Sequence, residues 1–124
     1  MKKGFLFFAV LAAAISVSCN EPSQPELKGR RVLIVFGGWD GHEPGRYVGI
    51  LLPWLTSEGA MVDTTSSLEI YTDSAYMVSV DLIIQAFTMS QITPQQEDGL
   101  LRAVREGAGL AGWHGGLALS LIHI

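Results

Sequence analysis

The run from Arg31 to Pro44 constrains the fold more than any other stretch of this sequence. It begins with five apolar residues, Val32–Phe36, and an unbroken apolar run rich in β-branched residues is typical of a strand buried on both faces of a parallel sheet. After Gly37-Gly38, side chains suited to catalysis or ligand binding follow at once: Trp39, Asp40, His42, Glu43 and Arg46. Because ligands bind at the carboxyl ends of strands in open α/β sheets, this loop is predicted to carry the site.

The segments after this loop alternate between helix and strand patterns. Helices are predicted from Gly45 to Gly59, from Thr72-Asp73 to just before Asp81, and from Thr93 to Gly107. Further strands are predicted at Ala60–Thr65, Leu82–Ala86 and Ala108–Trp113, with Ser66–Tyr71 and Phe87–Ile92 as loops. This alternation indicates an α/β fold with a doubly wound parallel sheet.

Two of the helices have distinct sequence signals. In the first, Val48, Leu51, Leu52 and Leu55 recur at the spacing of one helix face, and Pro53 predicts a bend. Trp54 is assigned to packing. The last helix begins with Thr93-Pro94-Gln95-Gln96, which combines a threonine N-cap, a proline at the first helical position and a glutamine that completes a capping box.

The amino-terminal segment indicates export. Met1–Ser18 has a basic start and a short apolar core, as a secretion signal does. Cys19 follows Ser16-Val17-Ser18, which resembles the lipobox of a bacterial lipoprotein, although an ordinary signal-peptidase site would cut at the same bond. Residues 19–29 are predicted to form a polar tether. We therefore expect an exported bacterial protein that is either periplasmic or anchored to the membrane through a lipid on Cys19.

Length and charge exclude other classes. A chain of 124 residues allows one domain, and 48% hydrophobic with 16% charged residues suits a globular protein. Acidic residues number 12 against 8 basic ones. Without a basic patch, nucleic-acid binding is not expected.

Four motifs, in order, resemble the trehalose-utilisation (ThuA-like) domain: GGWDGHEP at Gly37–Pro44, YTD at Tyr71–Asp73, FTMSQIT at Phe87–Thr93 and GLAGWHGG at Gly109–Gly116. The resemblance covers Arg31–Gly116, and the amino-terminal portion of the domain is predicted at residues 30–116. It implies a flavodoxin-like sheet related to that of class I glutamine amidotransferases. It also implies a role in carbohydrate metabolism, with trehalose, another disaccharide or a keto-sugar as the substrate.

The same resemblance argues against glutaminase chemistry. Amidotransferases carry a cysteine nucleophile in a strained turn after a strand, whereas here the equivalent run, Gly112–Gly116, has His114 in that place. An imidazole does not form the thioester intermediate of those enzymes.

The residues at the two strand ends suit sugar recognition. Tryptophan rings can stack on a pyranose, and carboxylates and imidazoles can bond its hydroxyls. The predicted substrate-binding residues are Trp39, Asp40, Glu43, Thr88, Trp113 and Gly115. His42 and His114 are the predicted catalytic pair, because histidine exchanges protons near neutral pH.

Other readings of these residues remain open. Asp40 and Glu43 are as well explained as turn and cap residues, and Trp39 and Trp113 as core filling. No cofactor is assigned, although two histidines with two carboxylates could hold a divalent metal.

The protein as a whole also has three possible roles: a hydrolase, lyase or isomerase acting on a sugar, a non-catalytic carbohydrate-binding module, or an inactive fragment. The apolar stretch Leu117–Ile124 is predicted to be a non-native tail after a truncated domain. No oligomeric state is predicted.

Overall fold

The fold is built on one parallel sheet. The computed structural model describes residues 26–113 and 115–117. Within them, four strands pair in the order β2-β1-β3-β4, and every pairing is parallel. The strands are β1 (Arg31–Gly38), β2 (Met61–Thr65), β3 (Leu82–Thr88) and β4 (Gly109–Gly112). The predicted α/β fold is confirmed, and β3 runs two residues further than its pattern suggested.

Helices cover both faces of the sheet. They are α1 (Pro44–Ser57), α2 (Ser74–Met77) and α3 (Pro94–Arg105), with 3₁₀ turns at Asp40–His42 and Leu68–Thr72. Successive β1 side chains point to opposite faces. Val32 and Ile34 pack with Leu55 of α1, whereas Leu33 and Val35 pack with Leu100 of α3 and its neighbours. Both faces of β1 are therefore buried, as its apolar run predicted.

The capping box of α3 is confirmed. The Gln96 backbone N–H donates to Thr93 Oγ1 over 3.3 Å, and the Thr93 N–H donates to Gln96 Oε1 over 3.0 Å. The Gln96 amide also donates to Glu69 Oε1 over 2.7 Å. One side chain thus caps α3 and ties it to the neighbouring 3₁₀ turn.

The stretch between β2 and α2 corrects the predicted loop at Ser66–Tyr71. Leu68–Thr72 forms a 3₁₀ turn, capped at its start by the Ser67 side chain. Leu68 and Tyr71 are buried in the core shared with α3, which makes this turn part of the packed layer. The following helix is shorter than predicted, and Asp73 caps it by accepting from the Tyr76 N–H.

Trp54 also departs from the prediction. It is 55% exposed, because the buried face of α1 passes through Val48, Leu51 and Leu55. Its assignment to packing is therefore wrong.

Residues 26–29, at the predicted end of the tether, form a turn against the domain. Leu27 N–H donates to the Glu58 carbonyl and Gly29 N–H to the Gly59 carbonyl, each over 3.2 Å. The Leu27 side chain packs beside the α1 face of the core. Met1–Ser18, Cys19 and the stretch 118–124 lie outside the described residues.

Within the described part of the chain, none of the helices combines the length and the apolar character that crossing a membrane requires.

Candidate functional site

The strand order creates a crevice between β1 and β3. The chain passes from β1 through α1 to β2 on one side of β1, and later forms β3 and β4 on the other side. Such a reversal separates the loops that leave the two central strands and opens a ligand site at their carboxyl ends. The loop after Gly38 and the end of β3 at Thr88 meet there.

Glycine allows the two strand ends to meet closely. Gly38 has φ +86°, and a Cβ at this position would overlap the Thr88 backbone. Two residues beside the crevice, Glu43 (φ 48°) and Met89 (φ 55°), adopt the left-handed conformation without being glycine. Such strain is concentrated at functional sites, and here it marks the exits of both β1 and β3.

A pocket of about 240 Å³ occupies this crevice. Its walls come from the exits of three strands. The lining residues are His42, Pro44, Tyr47, Ala86, Thr88, Trp113, Gly115 and Gly116.

Two polar atoms of the pocket residues are buried and unpartnered. Among residues 26–113 and 115–117, His42 Nδ1 and Thr88 Oγ1 have no hydrogen-bond partner. Thr88 is only 8% exposed. Because nearly all buried polar atoms in folded proteins are hydrogen-bonded, two such atoms on residues that line one pocket make it a candidate site for a polar ligand.

Aromatic rings lie in the pocket wall and beside His42. Trp113 and Tyr47 meet edge to face, with ring centroids 4.8 Å apart, and form one wall of the pocket. Trp39 meets His42 edge to face at 4.7 Å. The first pair presents an aromatic surface to a ligand, and the second restrains the imidazole.

The comparisons agree with this architecture. The family model described as trehalose utilisation (ThuA) matches residues 31–121, most of the chain. The chain belongs to the ThuA family. A solved structure of a ThuA-like protein from Bacteroides uniformis ATCC 8492 is similar in fold, with a TM-score of 0.59 and 17% sequence identity. The match covers 80% of this chain and 40% of that one. No curated protein shows a significant match.

In this ThuA-family chain, four predicted site residues lie together: His42, Thr88, Trp113 and Gly115 all line the pocket. Trp39 contacts the pocket histidine and is not itself part of the lining. Asp40 and Glu43 also lie outside the lining, and Glu43 bonds the Arg46 side chain over 3.1 Å. His114 is not among the described residues, so its predicted role stays a prediction.

Sequence reasoning missed Tyr47, Pro44 and Ala86, which also line the pocket. Tyr47 lies in the first turn of α1, next to the predicted core position Val48. An aromatic residue one turn after a strand-exit loop was the available signal, because the first turn of such a helix borders the crevice.

The described residues do not supply a set of ligands for the divalent metal considered from the sequence. No group of three or more histidine, cysteine, aspartate or glutamate side chains able to hold a metal occurs in 26–113 and 115–117. The set considered from the sequence includes His114, outside these ranges.

Proposed function

We propose that this ThuA-family domain binds a sugar or sugar derivative in the pocket between β1 and β3, and that His42 performs acid/base chemistry on it. The observation that carries the proposal is that His42 and Thr88 line one pocket and that each has a buried polar atom, Nδ1 and Oγ1, without a hydrogen-bond partner among the described residues. A sugar offers the hydroxyls that would satisfy both atoms. The family description, trehalose utilisation, supports the same substrate class.

The size and wall of the pocket favour one sugar ring. Its volume of about 240 Å³ lies just below the range typical of ligand pockets, ~300–1,000 Å³. The Tyr47–Trp113 wall supplies an apolar aromatic surface for the C–H face of a pyranose. Keto-sugars and single rings of disaccharides fit this description.

The two polar residues have different roles in this proposal. The Thr88 hydroxyl, which donates and accepts, selects and orients a sugar hydroxyl. The His42 imidazole takes a proton from a sugar hydroxyl or carbon and returns it later in the reaction. His114 is the proposed second proton carrier. A hydrolase, lyase or isomerase reaction is compatible with these roles.

Binding tests the sugar site directly. The full chain is titrated with glucose, trehalose and their keto derivatives by calorimetry. Thr88→Val keeps the side-chain shape and removes the hydroxyl, so we expect at least about tenfold weaker binding of the sugar that wild type binds. The matched control is Thr56→Val on the exposed side of α1, which should bind as wild type. Equal affinity in Thr88→Val and wild type would contradict the role of Thr88.

Turnover separates an enzyme from a binding module. In His42→Gln we expect retained sugar affinity within about threefold and at least a hundredfold slower turnover. Binding by every variant without turnover of any tested sugar would favour the carbohydrate-binding module. The Tyr47–Trp113 wall is the observation that favours this second candidate.

We also propose that the protein is exported and anchored through Cys19. The support is the signal-like segment Met1–Ser18 followed by the only cysteine. Cell fractionation after labelling with a fatty acid tests it. Wild type should carry the label in the membrane fraction, whereas Cys19→Ser should be unlabelled.

A further inference from the structure

A buried amide lies directly behind the pocket. Gln85 in the middle of β3 is 0% exposed. Its Oε1 accepts a hydrogen bond from the Tyr71 hydroxyl over 2.8 Å, and its Nε2 donates to the Gly116 carbonyl over 2.8 Å. Gly116 lines the pocket, whereas Gln85 does not. The amide therefore touches the back of the pocket wall.

Gly112 and Gly116, in the segment that forms this wall, pack closely against the backbone of β3. A Cβ on Gly116 would lie 3.1 Å from Ala86 Cα and 3.2 Å from the backbone carbonyl oxygen of Gln85. A Cβ on Gly112 would lie 2.7 Å from the same backbone oxygen. The Gly116 N–H donates to the Trp113 carbonyl over 3.0 Å. The position of Gly116 is thus coupled to Trp113, the aromatic wall of the pocket.

Both ends of the Gln85 amide are needed in this arrangement. The Tyr71 hydroxyl supplies a donor, and the Gly116 carbonyl supplies an acceptor. A side chain with one acceptor and one donor satisfies both, whereas an apolar residue would remove the acceptor of the Tyr71 hydroxyl and the bond that holds the Gly116 carbonyl to β3. Burial raises the pKa of the Tyr71 phenol, so its proton stays in place over the ordinary pH range.

We propose that Gln85 is a positioning residue for the sugar site: its amide holds the Gly116 carbonyl and thereby sets the place of Trp113 and Gly115 against the sugar. This inference rests on the proposed function. It extends that function to a residue that contacts no substrate and acts through the pocket wall.

Gln85→Glu tests the proposal. The variant keeps the shape of the side chain, and its ability to donate a hydrogen bond to the Gly116 carbonyl depends on pH. A neutral carboxyl accepts from Tyr71 and donates to the Gly116 carbonyl, whereas a carboxylate has no donor and faces that carbonyl with negative charge. Burial raises the pKa of a carboxyl group, so the change should fall between about pH 5 and pH 9. We expect near wild-type sugar affinity at the acid end and at least about tenfold weaker binding at the alkaline end.

Controls separate the coupling from general effects of pH and charge. Affinity is expressed as the ratio of variant to wild type at each pH, which removes the effects of pH that the two proteins share. Gln95→Glu adds the same charge on an exposed turn of α3, and its ratio should stay constant. A constant ratio for Gln85→Glu as well would overturn the proposal.

An NMR measurement distinguishes failure of this inference from failure of the proposed function. In full-length Gln85→Glu without sugar, the Gly115 and Gly116 amide signals should shift with pH, in contrast to Gln95→Glu. If they shift and wild type binds none of the sugars, the positioning of the wall is supported and the sugar function fails. If they do not shift, the positioning role is overturned. Should Gln85→Glu not fold, Tyr71→Phe, which removes one donor, must still shift the Gly116 signal.

Discussion

The backbone N–H of Trp39 donates a hydrogen bond to the carbonyl oxygen of Thr88 over 3.2 Å. This bond extends the β1–β3 pairing one residue past Gly38 and fixes the exit of β1 against the end of β3. His42, in the loop after β1, and Thr88, the last residue of β3, consequently line the same pocket.

Gly38 makes this approach possible, so Gly38→Ala should be strongly destabilising. An alanine at φ +86° is strained, and its Cβ would overlap the Thr88 backbone. We expect the free energy of unfolding to fall by at least about 2 kcal/mol, measured by urea denaturation. Gly49→Ala is the control, because nothing lies within 4 Å of its Cβ. In a helix interior it should stabilise by ~0.5–1 kcal/mol. Similar effects at the two glycines would contradict the close approach.

The sequence predicted the elements whose signals are local. The apolar runs of β1 and β3 and the capping box at Thr93 each specify structure within a few residues, and each was confirmed. The 3₁₀ turn at Leu68–Thr72 has no such periodic signal. It depends on burial of Tyr71 beneath α3, a contact between distant segments.

The candidate site was predictable only in part for a similar reason. His42, Thr88 and Trp113 could be assigned to strand exits because parallel strands bring their carboxyl ends to one edge. The participation of Tyr47 depends on how α1 is rotated over the sheet. That Thr88 Oγ1 finds no partner within the part of the chain that the structure describes depends on every neighbour, which no single motif encodes.

Leu55 and Trp54 are neighbours in sequence, but one is buried and the other exposed. Truncating the smaller Leu55 should therefore destabilise the protein more than truncating the larger Trp54. Leu55 is 1% exposed and Trp54 is 55% exposed. We expect Leu55→Ala to lower the free energy of unfolding by ~2–5 kcal/mol. Trp54→Ala should change it by less than about 0.5 kcal/mol. Thermal and urea denaturation of both variants give the comparison, and a larger loss in Trp54→Ala would place that ring in the core.

The Thr93 cap should contribute a typical N-cap energy. Thr93→Ala removes the oxygen that accepts from the Gln96 N–H, so we expect a loss of about 1 kcal/mol in unfolding free energy. Thr93→Ser keeps the side-chain oxygen, so its unfolding free energy should be close to that of wild type. Gln96→Ala should cost more, about 2 kcal/mol, because Gln96 is buried and also bonds Glu69. Gln95→Ala on the exposed side is the neutral reference.

Asp81 should make the protein less stable in acid. Its carboxylate accepts from the Arg31 backbone N–H over 2.8 Å and from the Arg30 guanidinium over 2.9 Å. These bonds, the backbone one first, hold the pKa of Asp81 below its usual range. The folded state therefore favours the ionised form. The stabilisation is complete above about pH 4 and is lost as pH falls through the lowered value.

Urea denaturation between about pH 2 and pH 6 measures this contribution. Asp81→Asn should remove part of the acid-dependent fall in unfolding free energy. Arg30→Gln should keep most of it, because the Arg31 N–H is the larger cause. Curves for Asp81→Asn and wild type that stay parallel over the whole range would show that Asp81 has no such role.

The described pocket walls come from three parts of the chain far apart in sequence: 42–47, 86–88, and Trp113 with Gly115 and Gly116. The site consequently exists only while β4, the last strand of the described sheet, stays paired with β3. Opening of that strand would remove the Trp113 side of the pocket, while β1 and β3 could remain paired. A bound ligand must therefore slow hydrogen exchange at the amides of Gly109–Gly112, and this slowing reports how often the site is assembled in solution.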